Sequence, residues 1–135
     1  MDITVDLLDG KKVVAHVGPH AVLTDQPVDA GGTDEAPAPF MLFLASLATC
    51  AGFYVQGFCR TRNIPTDGIR ITQTHTWDAR HRLADVALHV EVPPSFPERY
   101  LGTLKQVVDQ CAVKRVLADP PAIHVVTTSA APAAA

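Results

Sequence analysis

The feature that most constrains the fold is a long apolar segment that follows Pro39. From residue 40 to about residue 62 the sequence contains no proline, and its first charged residue is Arg60. Pro39 suits the first turn of a helix, where its missing N–H would have no partner. We therefore predict a single helix of about 35 Å. Because it is apolar on nearly all sides as far as Phe58, it must be buried centrally or lie between two subunits.

Shorter segments on both sides of this helix alternate between apolar and polar residues, as strands do. Asp9-Gly10 separates the first two, and Asp-Gly is a strong hairpin signal because glycine tolerates the positive φ of a tight turn. Residues 25–39 are rich in glycine and proline, which predicts a long loop. A second helix is predicted over 97–117, where apolar residues recur every three or four positions. The predicted strands are 3–8, 12–17, 21–24, 69–77, 83–92 and 122–128.

This order predicts an α+β fold with two helices packed against antiparallel sheets. The chain has 135 residues and a mass of 14.4 kDa, which suits one domain. We place that domain at residues 1–128. The small-residue segment 129–135 is predicted to be a low-complexity, disordered tail.

Charge and hydropathy argue against several classes of partner. The net charge is −3 and no basic run exceeds two residues, which disfavours nucleic acid and anionic membrane surfaces. No uninterrupted run of about 18 apolar residues is present, so no membrane span is expected. The acidic, alternating N-terminus is unlike a signal peptide, and we expect a cytoplasmic protein. Three cysteines, an odd number, do not indicate a disulfide framework.

Two of the cysteines fall on apolar helix faces. Cys50 lies on the first predicted helix and Cys111 on the second, so the two sulfurs face each other if these helices pack together. Cys59 lies nine residues after Cys50, half a turn away, and cannot cooperate with it in one chain. Spacing alone leaves two interpretations open: a two-cysteine redox site, or small hydrophobic side chains that merely fill the core.

Two local sequences resemble the OsmC/Ohr family signature. Gly31-Gly32 and a proline turn precede a helix rich in leucine and small residues that carries Cys50, and a Cys-x-Val pattern followed by leucine begins at Cys111. The family resemblance implies an intertwined homodimer in which the long helices lie at the centre. It also implies thiol-dependent reduction of organic hydroperoxides. Cys50 would be the peroxidatic thiol and Cys111 the resolving thiol, with an external dithiol as reductant and no metal or other cofactor.

The chain departs from the hydroperoxide-reducing branch of that family in two respects. That branch has a glutamate ten residues before the first cysteine, paired with an arginine, whereas here Phe40 holds the position and residues 1–59 contain no arginine. Phenylalanine beside the thiol is expected to raise the pKa of Cys50 and slow the reaction. Three cationic residues are candidates to replace the arginine: His20, Lys114 and Arg115. The simpler interpretation is that each is an ordinary solvent-exposed side chain with no role at the thiol.

Two other functions therefore remain as alternatives to a thiol peroxidase. The first is a non-catalytic dimer that binds a hydrophobic small molecule in the cleft between the helices, with the cysteines lining it. The second is a structural dimer with inert thiols. The distance between the two sulfurs and the charge nearest Cys50 distinguish these alternatives from the enzyme.

Overall fold

A computed structural model describes residues 1–131 and 134 of the chain. It contains a three-stranded sheet, a two-stranded sheet and three α-helices, which confirms the predicted α+β class. Short 3-10 turns lie at Val28–Ala30, within the predicted loop, and at Glu98–Tyr100. The regular elements, in chain order, are β1 (Ile3–Leu7), β2 (Val13–Val17), β3 (His20–Thr24), α1 (Pro39–Thr61), β4 (Arg70–Trp77), β5 (Leu83–Glu91), α2 (Leu101–Asp109) and α3 (Ala112–Ala118).

The strands β1, β2 and β3 form an antiparallel meander. The turn between β1 and β2 contains Gly10 at a φ of 66°, a left-handed conformation that glycine adopts without strain. All five side chains of β1 are exposed. This sheet therefore lies on the surface of the single chain and leaves apolar residues such as Ile3 and Val5 uncovered.

The hairpin of β4 and β5 packs its inner face on α1. Gln73 of β4 donates from Nε2 to the carbonyl oxygen of Leu44 on α1, at 3.0 Å. In the antiparallel register Gln73 lies opposite Leu88, and His75 lies opposite Val86. The turn is closed by Asp78, whose carboxylate accepts the two backbone N–H groups of Arg80 and Arg82 at 2.9 Å.

One face of α1 forms the centre of the core. Its buried residues recur at helical spacing and include Leu44 and Leu47. Three more of them, Ala51, Val55 and Phe58, form one hydrophobic cluster with Phe96, Leu104 and Val108. The other face is uncovered in the single chain, where Phe53 remains 70% exposed. By length and composition alone α1 is apolar enough to cross a membrane, a property that central helices of soluble proteins share. The absence of a membrane span thus stays a prediction.

Two sequence-based predictions about the C-terminal third are wrong. The helix expected over 97–117 is interrupted at Gln110 and Cys111, because Cys111 takes a ψ of 131° and leaves the helical conformation before α3 begins. Residues 122–128 form no strand, since within one chain no described strand pairs with them, and Ile123 is 87% exposed. Of the predicted disordered tail, residues 129–131 and 134 have no regular structure, and the prediction for residues 132, 133 and 135 lies outside the described residues.

Candidate functional site

The structure brings Cys50 and Cys111 together where α1 meets the start of α3. Cys50 is partly buried, and its sulfur accepts hydrogen bonds from the backbone N–H groups of Val113 and Ala112 and from the thiol of Cys111. Cys111 is fully buried. The two thiols that the sequence singled out therefore interact with each other, and no disulfide joins them.

The break between α2 and α3 produces this contact. We predicted Cys111 on the apolar face of a continuous helix, but it lies at the N-cap position of α3. The N–H groups of Gln110 and Cys111 close the end of α2 on the carbonyl oxygens of Val107 and Val108, each at 3.1 Å. The first N–H groups of any helix lack partners within the helix. Here those of Ala112 and Val113 point at the sulfur of Cys50.

This environment shifts the two thiol pKa values in opposite directions. The pKa of Cys50 is lowered, chiefly by the N–H of Val113 and further by the Cys111 thiol and the N–H of Ala112. The pKa of Cys111 is raised, first by burial and then by the neighbouring Cys50 sulfur. The expectation of a raised pKa for Cys50 is therefore wrong, because backbone donors stabilise its thiolate.

Phe40 does not lie beside the thiol. It precedes Cys50 by ten residues, or about 15 Å along the helix axis. Its ring packs against Phe43 and Trp77, with centroid separations of 5.5 and 5.8 Å. In the described part of the chain, no charged side chain contributes to the lowered pKa of Cys50. The stabilisation of the thiolate thus comes from hydrogen bonds alone.

The three cationic replacements considered for the missing arginine lie elsewhere. The side chain of Lys114 binds the carboxylate of Asp109, and so joins α2 to α3 across the break. Only its backbone N–H reaches the thiol pair, where it donates to Cys111. Arg115 is exposed in the last turn of α3, and His20 is exposed at the start of β3.

Cys59 lies apart from the pair, in the hydrophobic core formed around α1. It is fully buried, and burial raises its pKa. A thiol that is both inaccessible and protonated is unreactive. Cys59 therefore acts as a small core residue.

Asp25 is a structural residue that the sequence analysis missed. It is 1% exposed and accepts hydrogen bonds from the N–H groups of Gln26 (2.8 Å), Thr33 (3.2 Å) and Glu35 (3.1 Å), and from the Thr33 hydroxyl (2.7 Å). These donors, led by the Thr33 hydroxyl, lower the pKa of Asp25 to about 2. Lys12 on the neighbouring turn binds Glu35 at 2.7 Å. Asp25 thus fixes the glycine-rich loop that leads to α1.

A cavity of about 490 Å³ lies between β5 and the three α-helices, and neither Cys50 nor Cys111 is among the residues that line it. Its wall is mainly apolar and includes Leu47, one turn before Cys50 on α1, and Leu117 on α3. Its volume is typical of small-molecule sites, which span about 300–1,000 Å³. Within residues 1–131 and 134, no group of three or more histidine, cysteine or acidic side chains is placed to hold a metal ion.

Comparisons with known proteins identify a family and a shared fold. Residues 32–126 match the family model described as OsmC-like protein. The fold resembles an OsmC-like protein from Mycoplasma pneumoniae (17% identity, 88% of this chain and 87% of that chain, TM-score 0.70). It also resembles a candidate osmotic-stress-induced detoxification protein from Psychrobacter arcticus 273-4 (21% identity, 84% and 85%, TM-score 0.71).

A third similar structure, from Legionella pneumophila, is described as an organic hydroperoxide resistance protein OsmC and a predicted redox protein. It shares 18% identity with this chain, covers 87% of this chain and 89% of that chain, and has a TM-score of 0.55. The search of curated proteins finds no match. The family model spans both cysteines and well over half of the sequence, and the fold agrees with it. The chain belongs to the OsmC-like protein family.

Proposed function

We propose that this protein reduces organic hydroperoxides, with Cys50 as the peroxidatic thiol and Cys111 as the resolving thiol. The observation that supports the proposal most directly is the hydrogen bonding at Cys50, whose thiolate is stabilised by two backbone N–H groups and by Cys111. A peroxidatic cysteine reacts with the hydroperoxide as a thiolate, whereas a resolving cysteine can remain protonated until the sulfenic acid has formed. Opposite pKa shifts in two contacting cysteines suit these two roles.

The proposed chemistry has three steps. The Cys50 thiolate attacks the terminal oxygen of the hydroperoxide, so an S–O bond forms, the O–O bond breaks, and the departing alkoxide takes a proton to become an alcohol. The Cys111 sulfur then attacks the resulting sulfenic acid and releases water, which leaves a Cys50–Cys111 disulfide. An external dithiol reduces this disulfide by exchange and is itself oxidised. That step requires a reducing compartment, and we place the protein in the cytoplasm.

We further propose that the working form is a homodimer. One chain leaves the face of α1 around Phe53 and Met41 exposed, although both are large apolar residues. An apolar face of this kind is typical of a protein–protein interface. A second copy that packs its α1 against this face would complete the core.

The mainly apolar cavity favours a second candidate function, binding of a hydrophobic small molecule without catalysis. In that case Cys50 and Cys111, which lie outside the cavity wall, would take no part in binding. The first candidate predicts a preference for hydrophobic organic hydroperoxides over hydrogen peroxide, because the apolar wall gives the organic chain a favourable environment.

The deciding experiment exposes the reduced protein to one equivalent of cumene hydroperoxide, followed by thiol titration and peptide mass mapping. We expect loss of two thiols per chain and a Cys50–Cys111 disulfide. Cys50→Ser should abolish the reaction, Cys111→Ser should stop at a sulfenic acid that dimedone traps, and Cys59→Ser serves as the matched control with unchanged consumption. If Cys50 and Cys111 stay reduced under conditions that oxidise a simple thiol, the binding function replaces the enzyme.

A further inference from the structure

The short helix α3 cannot maintain its orientation alone. It has seven residues, none of them buried, and isolated helices of this length are not stable in water. Its orientation therefore depends on contacts with the rest of the chain. In residues 1–131 and 134, no backbone hydrogen bond runs directly from α3 to α2, because the chain leaves the helical conformation between them at Gln110 and Cys111.

One side-chain contact spans this break. Lys114 Nζ on α3 binds a carboxylate oxygen of Asp109, the last residue of α2. Among the described residues it is the only ion pair or side-chain hydrogen bond between the two helices. The other oxygen of Asp109 binds Lys105 at 3.1 Å, but Lys105 belongs to α2 itself. The pKa of Asp109 is lowered, first by Lys114 and then by Lys105, so the carboxylate is ionised.

The main chain of Lys114 connects this ion pair to the thiols. Its own N–H donates to the sulfur of Cys111, and the N–H of the preceding residue, Val113, donates to the sulfur of Cys50. A movement of α3 that separates Lys114 from Asp109 therefore moves the donors as well.

We propose that Asp109 and Lys114 are positioning residues, whose ion pair holds α3 in the orientation in which the N–H groups of Ala112 and Val113 face the sulfur of Cys50. Neither charged side chain contributes directly to the stabilisation of the thiolate, so both act through the main chain of α3. This role deepens the proposed function and rests on it, since it concerns the proposed peroxidatic thiol.

The sign of the change at Asp109 separates positioning from a simple effect of charge. Removal of a negative charge favours a nearby thiolate, so a charge effect alone would lower the pKa of Cys50 in Asp109→Ala. Loss of positioning weakens the hydrogen bonds to the thiolate and raises this pKa. Apart from Lys105, the residues that border the same cavity as this ion pair are apolar, including those of β5.

The rate of Cys50 alkylation by iodoacetamide, measured against pH, tests this role. The two side chains are 39% and 49% accessible, and loss of such an exposed pair should slow alkylation below the midpoint by up to about fivefold in Asp109→Ala and Lys114→Met. The midpoint should rise in both variants, and the double variant should behave like either single one. Asp109→Glu and Lys114→Arg, which retain the ion pair, should restore the profile.

Lys105→Met is the matched control, because it removes an ammonium from the same carboxylate and leaves the contact across the break intact. Its alkylation profile should be unchanged. Asp109→Ala should remain folded, since alanine favours helices and a carboxylate at a helix C-terminus is unfavourable. A lowered midpoint in Asp109→Ala, or equal shifts in Lys105→Met and Lys114→Met, would overturn the positioning role.

The outcomes separate this role from the peroxidase, because alkylation requires no hydroperoxide. Alkylation profiles that change as expected, without any consumption of cumene hydroperoxide by the unsubstituted protein, would overturn the peroxidase and leave the positioning role standing. Consumption of hydroperoxide together with an unchanged alkylation profile in Asp109→Ala would do the reverse.

Discussion

Ala112→Pro offers a direct test of the claim that backbone donors hold the Cys50 thiolate. The Ala112 N–H donates to the Cys50 sulfur, and proline has no N–H to donate. Ala112 is the first residue of α3, a position where proline is readily accommodated. Cys111 before it has φ −50° and ψ 131°, in the extended range that a residue preceding proline adopts. The substitution therefore removes one donor with little other change.

The expected effect follows from the strength of one hydrogen bond to a charged acceptor, about 1.5–3 kcal/mol. Because Cys50 is only partly buried and Val113 contributes more than Ala112, we use the lower end of that range. A loss of about 1.4 kcal/mol is a tenfold change in an equilibrium. The thiolate fraction of Cys50 below its pKa should therefore fall roughly tenfold.

The assay is the rate of Cys50 alkylation by iodoacetamide as a function of pH, with the modified residue identified by peptide mass mapping. In the unsubstituted protein the midpoint should lie below that of an ordinary cysteine, since the pKa of Cys50 is lowered by the backbone N–H donors. Ala112→Pro should move the midpoint upward. Ala112→Gly, which keeps the N–H but weakens the helix, measures the effect of helix propensity alone. Identical profiles for the two variants would refute the role of the backbone donor.

Three further predictions concern stability. Leu104→Ala removes a core side chain that is 3% exposed and should lower the free energy of unfolding by about 2–5 kcal/mol in chemical denaturation. Gly32→Ala would place a Cβ 1.9 Å from the carbonyl oxygen of Gln26, so the loop must shift, and a loss of about 1–3 kcal/mol should appear in the same assay. The pKa of Asp25 is lowered from 3.8 to about 2 in the folded protein. Its ionised carboxylate therefore contributes fully to the free energy of unfolding above pH 3.8, and this contribution declines as the pH falls towards 2. Asp25→Asn should flatten that part of the acid-unfolding curve.

The sequence predicted α1 and the hairpins because local signals determine them. Pro39 marks the start of α1, and Asp9-Gly10 marks the first turn, and the structure has both. The break at Cys111 could not be found this way. The apolar residues on either side of the break recur at intervals of four and three residues, as they would in an unbroken helix: Leu104, Val108 and Cys111. Hydrophobic periodicity therefore cannot reveal a break of two residues.

The direction of the Cys50 pKa shift was also outside the reach of sequence reasoning. Sequence patterns reveal side chains, and the missing arginine and Phe40 both favoured a raised pKa for Cys50. Besides the Cys111 thiol, the groups that lower it are the main-chain N–H groups of Val113 and Ala112. Every sequence has such N–H groups, and only the fold determines which atoms they face. The strand predicted over 122–128 failed for a related reason, because a strand requires a partner edge as well as an alternating pattern.

In the proposed homodimer these donors gain importance. A partner that covers α1 removes water from the neighbourhood of Cys50, and loss of water disfavours a thiolate. The same loss strengthens each N–H···S⁻ hydrogen bond, because the local dielectric constant falls. With no charged side chain at Cys50 among the described residues, the balance depends on Val113 and Ala112. The break between α2 and α3, which aims these groups at the sulfur, is therefore the feature of this chain on which a reactive thiol depends.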